Sequence, residues 1–167
     1  MTNKVKFALE SYCNEHRRML ADSHYLAAPP PGCLFAVAVR PEAPGLFGPV
    51  AAGPLMGVCL VGRPVARMLP QDGTVGEVVR LVLVGCPYGT ASALLRYAAD
   101  VGRARGMDAL ISYHDRSRHT GCIYRKAGFR KDGVTKPPKG KGWGSRSGRA
   151  QAASSQGTSK RRWRLDL

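Results

Sequence analysis

Residues 77–106, EVVRLVLVGCPYGTASALLRYAADVGRARG, change periodicity across one turn. A β-branched run stops at Gly85-Cys86-Pro87, and the apolar residues that follow recur at helical spacing until Gly106. Glycine just past the last helical residue is a stop signal, so the unit reads as strand, turn and helix. MDALISYHD, residues 107–115, then reads as another strand. A chain with this at its centre is constrained to an α/β sheet covered by helices.

The remaining segments fit that frame. Residues 4–21 place Val5, Leu9, Tyr12, His16 and Leu20 at helical spacing and predict an amphipathic helix. The prolines of SHYLAAPPPG make a loop. Residues 33–39 (CLFAVAV) and 55–65 (LMGVCLVGRPV) read as strands joined by a Pro/Gly-rich hairpin loop, and residues 75–85 as a third strand. HTGCIYRKAGF predicts a short helix ending at Gly128. Residues 135–159 are rich in Gly, Pro, Ser and Lys and predict a long mobile loop. The final KRRWRLDL alternates again, with Arg162, Arg164 and Asp166 opposite Trp163, Leu165 and Leu167, and predicts a strand returning to the sheet. The expected organisation is one domain: a core over 1–135, a basic loop over 136–159 and a returning strand over 160–167.

Charge is distributed unevenly. Of 26 Lys/Arg, 15 lie from Arg116 onwards against only Asp132 and Asp166, whereas residues 1–115 are nearly neutral. A neutral body with a basic end favours a polyanionic partner such as nucleic acid, against the simpler reading of a solvated tail. No apolar run approaches the roughly 20 residues of a membrane helix, and the charged N-terminus lacks a signal-peptide core. The five cysteines are odd in number and scattered with no CxxC pair, which argues for reduced thiols in a cytosol-like compartment, against a disulfide framework and against a cysteine zinc site.

The element order and IYRKAGF, with its tyrosine and terminal Gly-Phe, resemble the GNAT acetyltransferase fold. That resemblance implies a mixed, mostly antiparallel α/β (α+β) sheet flanked by helices, and a coenzyme A site at the turn before the central helix. Here that turn, CPYGTAS, has one glycine and lacks the family's Q/R-x-x-G-x-G/A pattern. A narrower resemblance, carried by SHYL, EVVRL, SYHDRSRHTGCIYRKAGF and KRRWRL, is to the Mom-type DNA modification proteins of bacteriophage Mu and its relatives. It implies carbamoylmethylation of adenine N6 in double-stranded DNA, with the base flipped out, by a phage-encoded enzyme in the bacterial host cytoplasm. The donor stays open among acetyl-coenzyme A, a glycine-derived donor and an aminoacyl-tRNA; so does the oligomeric state.

The same resemblance marks His24, Tyr25, Arg80, Ser92, Asp115 and Tyr124 as catalytic candidates. His24 could take a proton or bind a metal, and Tyr25 could stack on the base; a loop histidine and a core tyrosine are the simpler readings. Arg80, a charge in an apolar strand, could hold a donor carbonyl or phosphate, or pair with a carboxylate; Glu77, three residues away on a regular strand, would point to the opposite face. Ser92 is an N-cap or a donor contact. Alternation puts Ser112 and His114 on one side of their strand, Tyr113 and Asp115 on the other. Asp115 could orient a base, bind a cation or cap the next helix. Tyr124, with an ordinary pKa of about 10, suits a general acid better than a base. His24, His114, His119 and Asp115 contain the donors of an iron or zinc site, although no pair has tight ligand spacing. For DNA contact the candidates are Lys136, Lys139, Lys141, Trp143, Arg146 and Arg149 in the loop and Lys160, Arg161 and Arg162 in the last strand. The rival functions are acetylation of a small-molecule or protein amine, and nucleic-acid binding without catalysis.

Overall fold

A computed structural model describes residues 4–25, 30–135 and 158–167. The elements run β1 (Val5–Glu10), α1 (Asn14–Ser23), β2 (Phe35–Ala43), β3 (Val50–Ala51), β4 (Gly57–Gly62), β5 (Val75–Leu83), α2 (Thr90–Ala104), β6 (Ala109–Asp115), α3 (Cys122–Lys126), β7 (Arg130–Thr135) and β8 (Lys160–Asp166). They build one sheet in the order β1-β2-β4-β5-β6-β8-β7, with β3 paired to β2. Among the described residues only β5 and β6 run parallel; the other pairs are antiparallel.

Both faces of the central strands are covered, which is why they read as continuous apolar runs rather than alternating ones. On one face Val37, Val39, Cys59 and Val61 meet Leu94, Leu95 and Ala98 of α2, and the cluster continues to Tyr124 and Trp163. On the other face Ala36, Val58 and Leu60 meet Leu20 of α1. Helices α2 and α3 therefore lie on one side and α1 on the other.

Three expectations change. The amphipathic helix expected over 4–21 begins only at Asn14; its first half is edge strand β1, paired with β2 from Val5↔Pro41 to Glu10↔Ala36. Val5 and Phe7 pack against the main cluster at the two-residue period of a strand, and Ser11-Tyr12-Cys13 breaks it from the helix. Strand β7 carries few apolar residues, so periodicity does not reveal it; it forms because β8 offers it an edge. Finally, β5 is bulged. Arg80 faces Leu60 and Val78 faces Val61, which leaves Val79 as an extra residue. The bulge cancels one alternation, so Glu77 and Arg80 share the α1 face instead of opposing each other.

Among the described residues no helix is long and apolar enough to cross a membrane. Cys13, Cys33, Cys59, Cys86 and Cys122 are free thiols.

Candidate active site at the split between strands β5 and β6

Strands β5 and β6 pair only from Val75↔Ala109 to Val78↔Ser112. Past that point β5 runs on to Leu83 and β6 to Asp115 without pairing to each other. The Val79 bulge sits where they part, and bulges bend and overtwist a strand. A cavity of about 330 Å³ opens in the gap. It is lined from both faces of the sheet: His24, Tyr25 and Arg80 on the α1 side, His114 and Tyr124 on the α3 side. Residues that a closed sheet would keep apart thus share one space.

The α3 side is closely packed. Tyr124 is 7 % exposed, and its ring stacks on Trp163 with centroids 5.4 Å apart. Ser112 Oγ donates to Tyr124 Oη at 2.9 Å. Burial pushes the Tyr124 phenol up to about 12, so it stays protonated at neutral pH. Trp163 Nε1 donates to His114 Nδ1 at 2.6 Å, which places the proton of the neutral imidazole on Nε2. Burial, then His119, Arg161 and Arg116, hold His114 below its ordinary pKa, against a weaker pull from Asp115. His114 is therefore a neutral hydrogen-bond donor rather than a free base. Gly121 makes this packing fit: its φ is +76°, and a Cβ there would lie 2.5 Å from Trp163 Cζ2 and 2.8 Å from His114 Cε1.

The α1 side is an aromatic rim. His24 and Tyr25 stack with centroids 4.6 Å apart, and the Arg118 guanidinium lies 5.2 Å from the centre of the Tyr25 ring. Burial raises the Tyr25 phenol, with Arg80 acting the other way. Arg80 is half-buried, and its Nη1 donates to the Val79 carbonyl at 2.7 Å. Burial lowers the pKa of the guanidinium, while the Tyr25, Tyr12 and Glu77 groups raise it. Glu77 itself accepts from Val65 N–H at 2.8 Å.

The other candidates lie elsewhere. Asp115 is 3 % exposed and outside the cavity lining. Its Oδ1 accepts from Ser117 N and Oγ, and its Oδ2 from Thr158 Oγ1, so it fastens the turn after β6 to the start of β8. Ser92 is buried in the first turn of α2 and does not line the cavity. Arg161 lines a second cavity on the far side of His114, whereas Arg162 pairs with Asp132 at 2.9 Å and Lys160 pairs in register with Asp115. Lys136, Lys139, Lys141, Trp143, Arg146 and Arg149 lie outside the described residues.

The expected iron or zinc donors do not fit a metal: His114 Nδ1 is taken by Trp163 and Asp115 is turned to Ser117 and Thr158. Among the described residues no three His, Cys, Asp or Glu converge. Coenzyme A fits better. Helix α2 opens at Gly89 in the left-handed region with no side-chain cap, and the space above Gly89 is open, leaving backbone N–H groups for a phosphate. Among the lining residues that sequence reasoning missed, Gly121 and Thr120 carry no signal of their own. Trp163, which holds His114, was visible only as the apolar face of the last strand.

No family model and no curated protein matches the sequence. Solved structures do. A Bacillus subtilis acetyltransferase in complex with CoA aligns at TM-score 0.59 and 18 % identity, over 98 % of this chain and 99 % of its own. An IAA acetyltransferase from Bacillus cereus aligns at 0.63 and 16 %, over 98 % and 100 %. The ribosomal-protein-S18-alanine N-acetyltransferase of Escherichia coli aligns at 0.60 and 10 %, over 97 % and 94 %. With its mixed, mostly antiparallel sheet split between two parallel strands, this chain has the GNAT acetyltransferase fold.

Proposed function

We propose that this protein is a transferase that moves an acyl-derived group from an activated donor onto a nitrogen nucleophile held in the split cavity, and that the nucleophile is the N6 amine of adenine in DNA. The observation that carries the first half is the joining, in one cavity, of a protonated tyrosine, an imidazole–phenol stack and a guanidinium. The second half is supported by the resemblance to Mom-type proteins, the aromatic rim and the basic last third of the chain.

Adenine N6 is conjugated into its ring and weakly nucleophilic, and it reaches an enzyme only when the base leaves the duplex stack. The His24–Tyr25 pair offers the extruded base a face to stack on. His24 takes the N6 proton as the N–C bond forms, and Arg80 offsets negative charge developing on the donor. Tyr124 returns a proton to the leaving group, a role suited to a phenol that burial keeps protonated. Coenzyme A, when bound at the α2 N-terminus, would supply the thioester; the CoA-bound structural neighbour supports that donor type. Arg161 and the basic residues of the 136–159 segment would neutralise DNA phosphates.

The test is co-expression with plasmid DNA in a bacterial host, followed by nucleoside mass spectrometry. Deoxyadenosine of increased mass, lost in Tyr124→Phe and His24→Ala, is the expected result. Soluble protein with wholly unmodified adenine overturns the acceptor assignment. In that case acetylation of small amines or protein N-termini, followed as release of free thiol from acetyl-coenzyme A, decides the first half separately.

A further inference from the structure

We infer that the second cavity is a binding site for one phosphate group. It measures about 230 Å³ and lies across His114 from the split. Arg116 follows β6, Arg125 belongs to α3, Lys131 to β7 and Arg161 to β8, so four segments each deliver one cation to it. His119 and Thr120 add donors, and among the described residues no Asp or Glu lines it.

Elsewhere six arginines are matched by an acid, while Arg17, Arg96 and Arg105 donate to backbone carbonyls instead. Arg40, Arg103, Arg118, Arg130, Arg162 and Arg164 each lie within ion-pair distance of a carboxylate. Among the described residues, none of the four cavity cations does. Asp115 is the immediate neighbour of Arg116 in sequence, yet its carboxylate is turned to Ser117, Thr158 and Arg118. Four like charges around a small cavity repel one another, and the repulsion reaches His114, whose neutral form Arg161 and Arg116 favour. A ligand that relieves this must be small, multiply charged and rich in acceptor oxygens. Phosphate has those properties, and guanidinium forks match its oxygens in pairs. A carboxylate brings one charge and two oxygens.

His114, His119 and Thr120 line both cavities. A phosphate bound here would therefore sit one side chain away from the proposed transfer cavity, as on a nucleotide whose base occupies the split. The phosphate site needs only the second cavity; its use as the handle of a nucleotide acceptor rests on the proposed transfer reaction.

Register supplies the control. Arg161 faces His114 across the β6–β8 pair, whereas Arg162 faces Tyr113, pairs with Asp132 and points to the opposite side of the sheet. The two variants Arg161→Gln and Arg162→Gln remove the same charge from adjacent positions. Trp163 lines the cavity, and with Trp143→Phe as background it is the sole tryptophan of the chain. Titrating that full-length protein with inorganic phosphate at neutral pH should change Trp163 emission saturably, with sulfate competing and acetate not. Arg161→Gln, Arg125→Gln and Lys131→Gln should each weaken binding about tenfold, and Arg162→Gln by less than about twofold. Urea unfolding of each variant checks that it folds. No saturable response in the millimolar range overturns the site. So does equal weakening by Arg161→Gln and Arg162→Gln, which would mean diffuse attraction, or acetate binding as tightly as phosphate. AMP binding more tightly than phosphate supports the nucleotide handle; AMP binding no tighter overturns the handle and leaves the phosphate site standing. Saturable phosphate binding by a protein that leaves DNA unmodified would refute the proposed acceptor, not this site.

Discussion

The two edges of β6 begin alike and end differently. Along β8 the strand is paired over its whole length, from Ala109↔Asp166 to Asp115↔Lys160. Along β5 the pairing stops at Ser112, three residues short of the strand's end. The closed edge supplies rigidity and the open edge supplies access, and the side chains at the opening are held from the closed side. Trp163 of β8 fixes the ring of His114 and stacks on Tyr124; Ser112 bonds the Tyr124 hydroxyl. A transfer site needs both: groups within reach of a substrate, and a scaffold that does not yield when the substrate arrives.

Substitutions on each edge should separate these roles. Tyr124→Phe, at the open edge, should lower turnover by about 10²–10⁴-fold, the range for losing a general acid, while the lost Ser112 bond costs only about 1 kcal/mol of stability. Product formation and urea unfolding, measured side by side, check the split; a rate close to wild type removes Tyr124 from the chemistry. Trp163→Ala, at the closed edge, should cost about 3–5 kcal/mol, because it empties the space between β8, α3 and His114. A stability loss below about 1 kcal/mol would mean that the closed edge does not bear the cluster. Gly121→Ala should destabilise by about 1–3 kcal/mol, since the left-handed backbone and the Trp163 and His114 contacts both oppose a methyl group.

Acidification gives a smaller, global effect. Burial is the main cause holding both His114 and His16 below their ordinary value, so the folded state favours their neutral forms. Their contribution is complete above the unfolded value of about 6.5 and is lost as pH falls through the lower folded values. Melting temperature should therefore be flat above about pH 7 and decline below about pH 6, with a shallower slope in His114→Gln. An unchanged slope would mean that His114 is not held neutral. Far from both edges, Glu15→Gln should cost no more than about 1 kcal/mol, because its pair with Arg40 is half exposed and Glu10 holds the same guanidinium.

Much of this was legible in the residues. The β5–α2–β6 unit follows from 77–115, and the alternation of KRRWRLDL correctly opposes Trp163 and Leu165 to Arg162 and Arg164. Residues 4–13 misled, because Val5, Leu9 and Tyr12 fit a helical repeat as well as Val5, Phe7 and Leu9 fit a strand; only the partner β2 decides between them. Strand β7 was invisible, since its exposed residues need a neighbouring edge more than an apolar face. At the site, His24, Tyr25, Arg80 and Tyr124 do line one cavity, from opposite faces of the sheet, and Asp115 and Ser92 do not. Sequence separation carries no information about where a sheet will part, and a bulge leaves no mark in composition.

That extra residue at position 79 makes length, rather than identity, the sensitive variable of β5. Because Val79 stands between the rungs Val78↔Val61 and Arg80↔Leu60, a shorter relative lacking it would keep every other side chain of the strand on its present side. What such a deletion would remove is the kink where β5 departs from β6. Trimming one valine should therefore cost the interior only that side chain's packing against the Ala36–Val58–Leu60 cluster and seal the doorway, yielding a folded protein with nowhere to put its substrate.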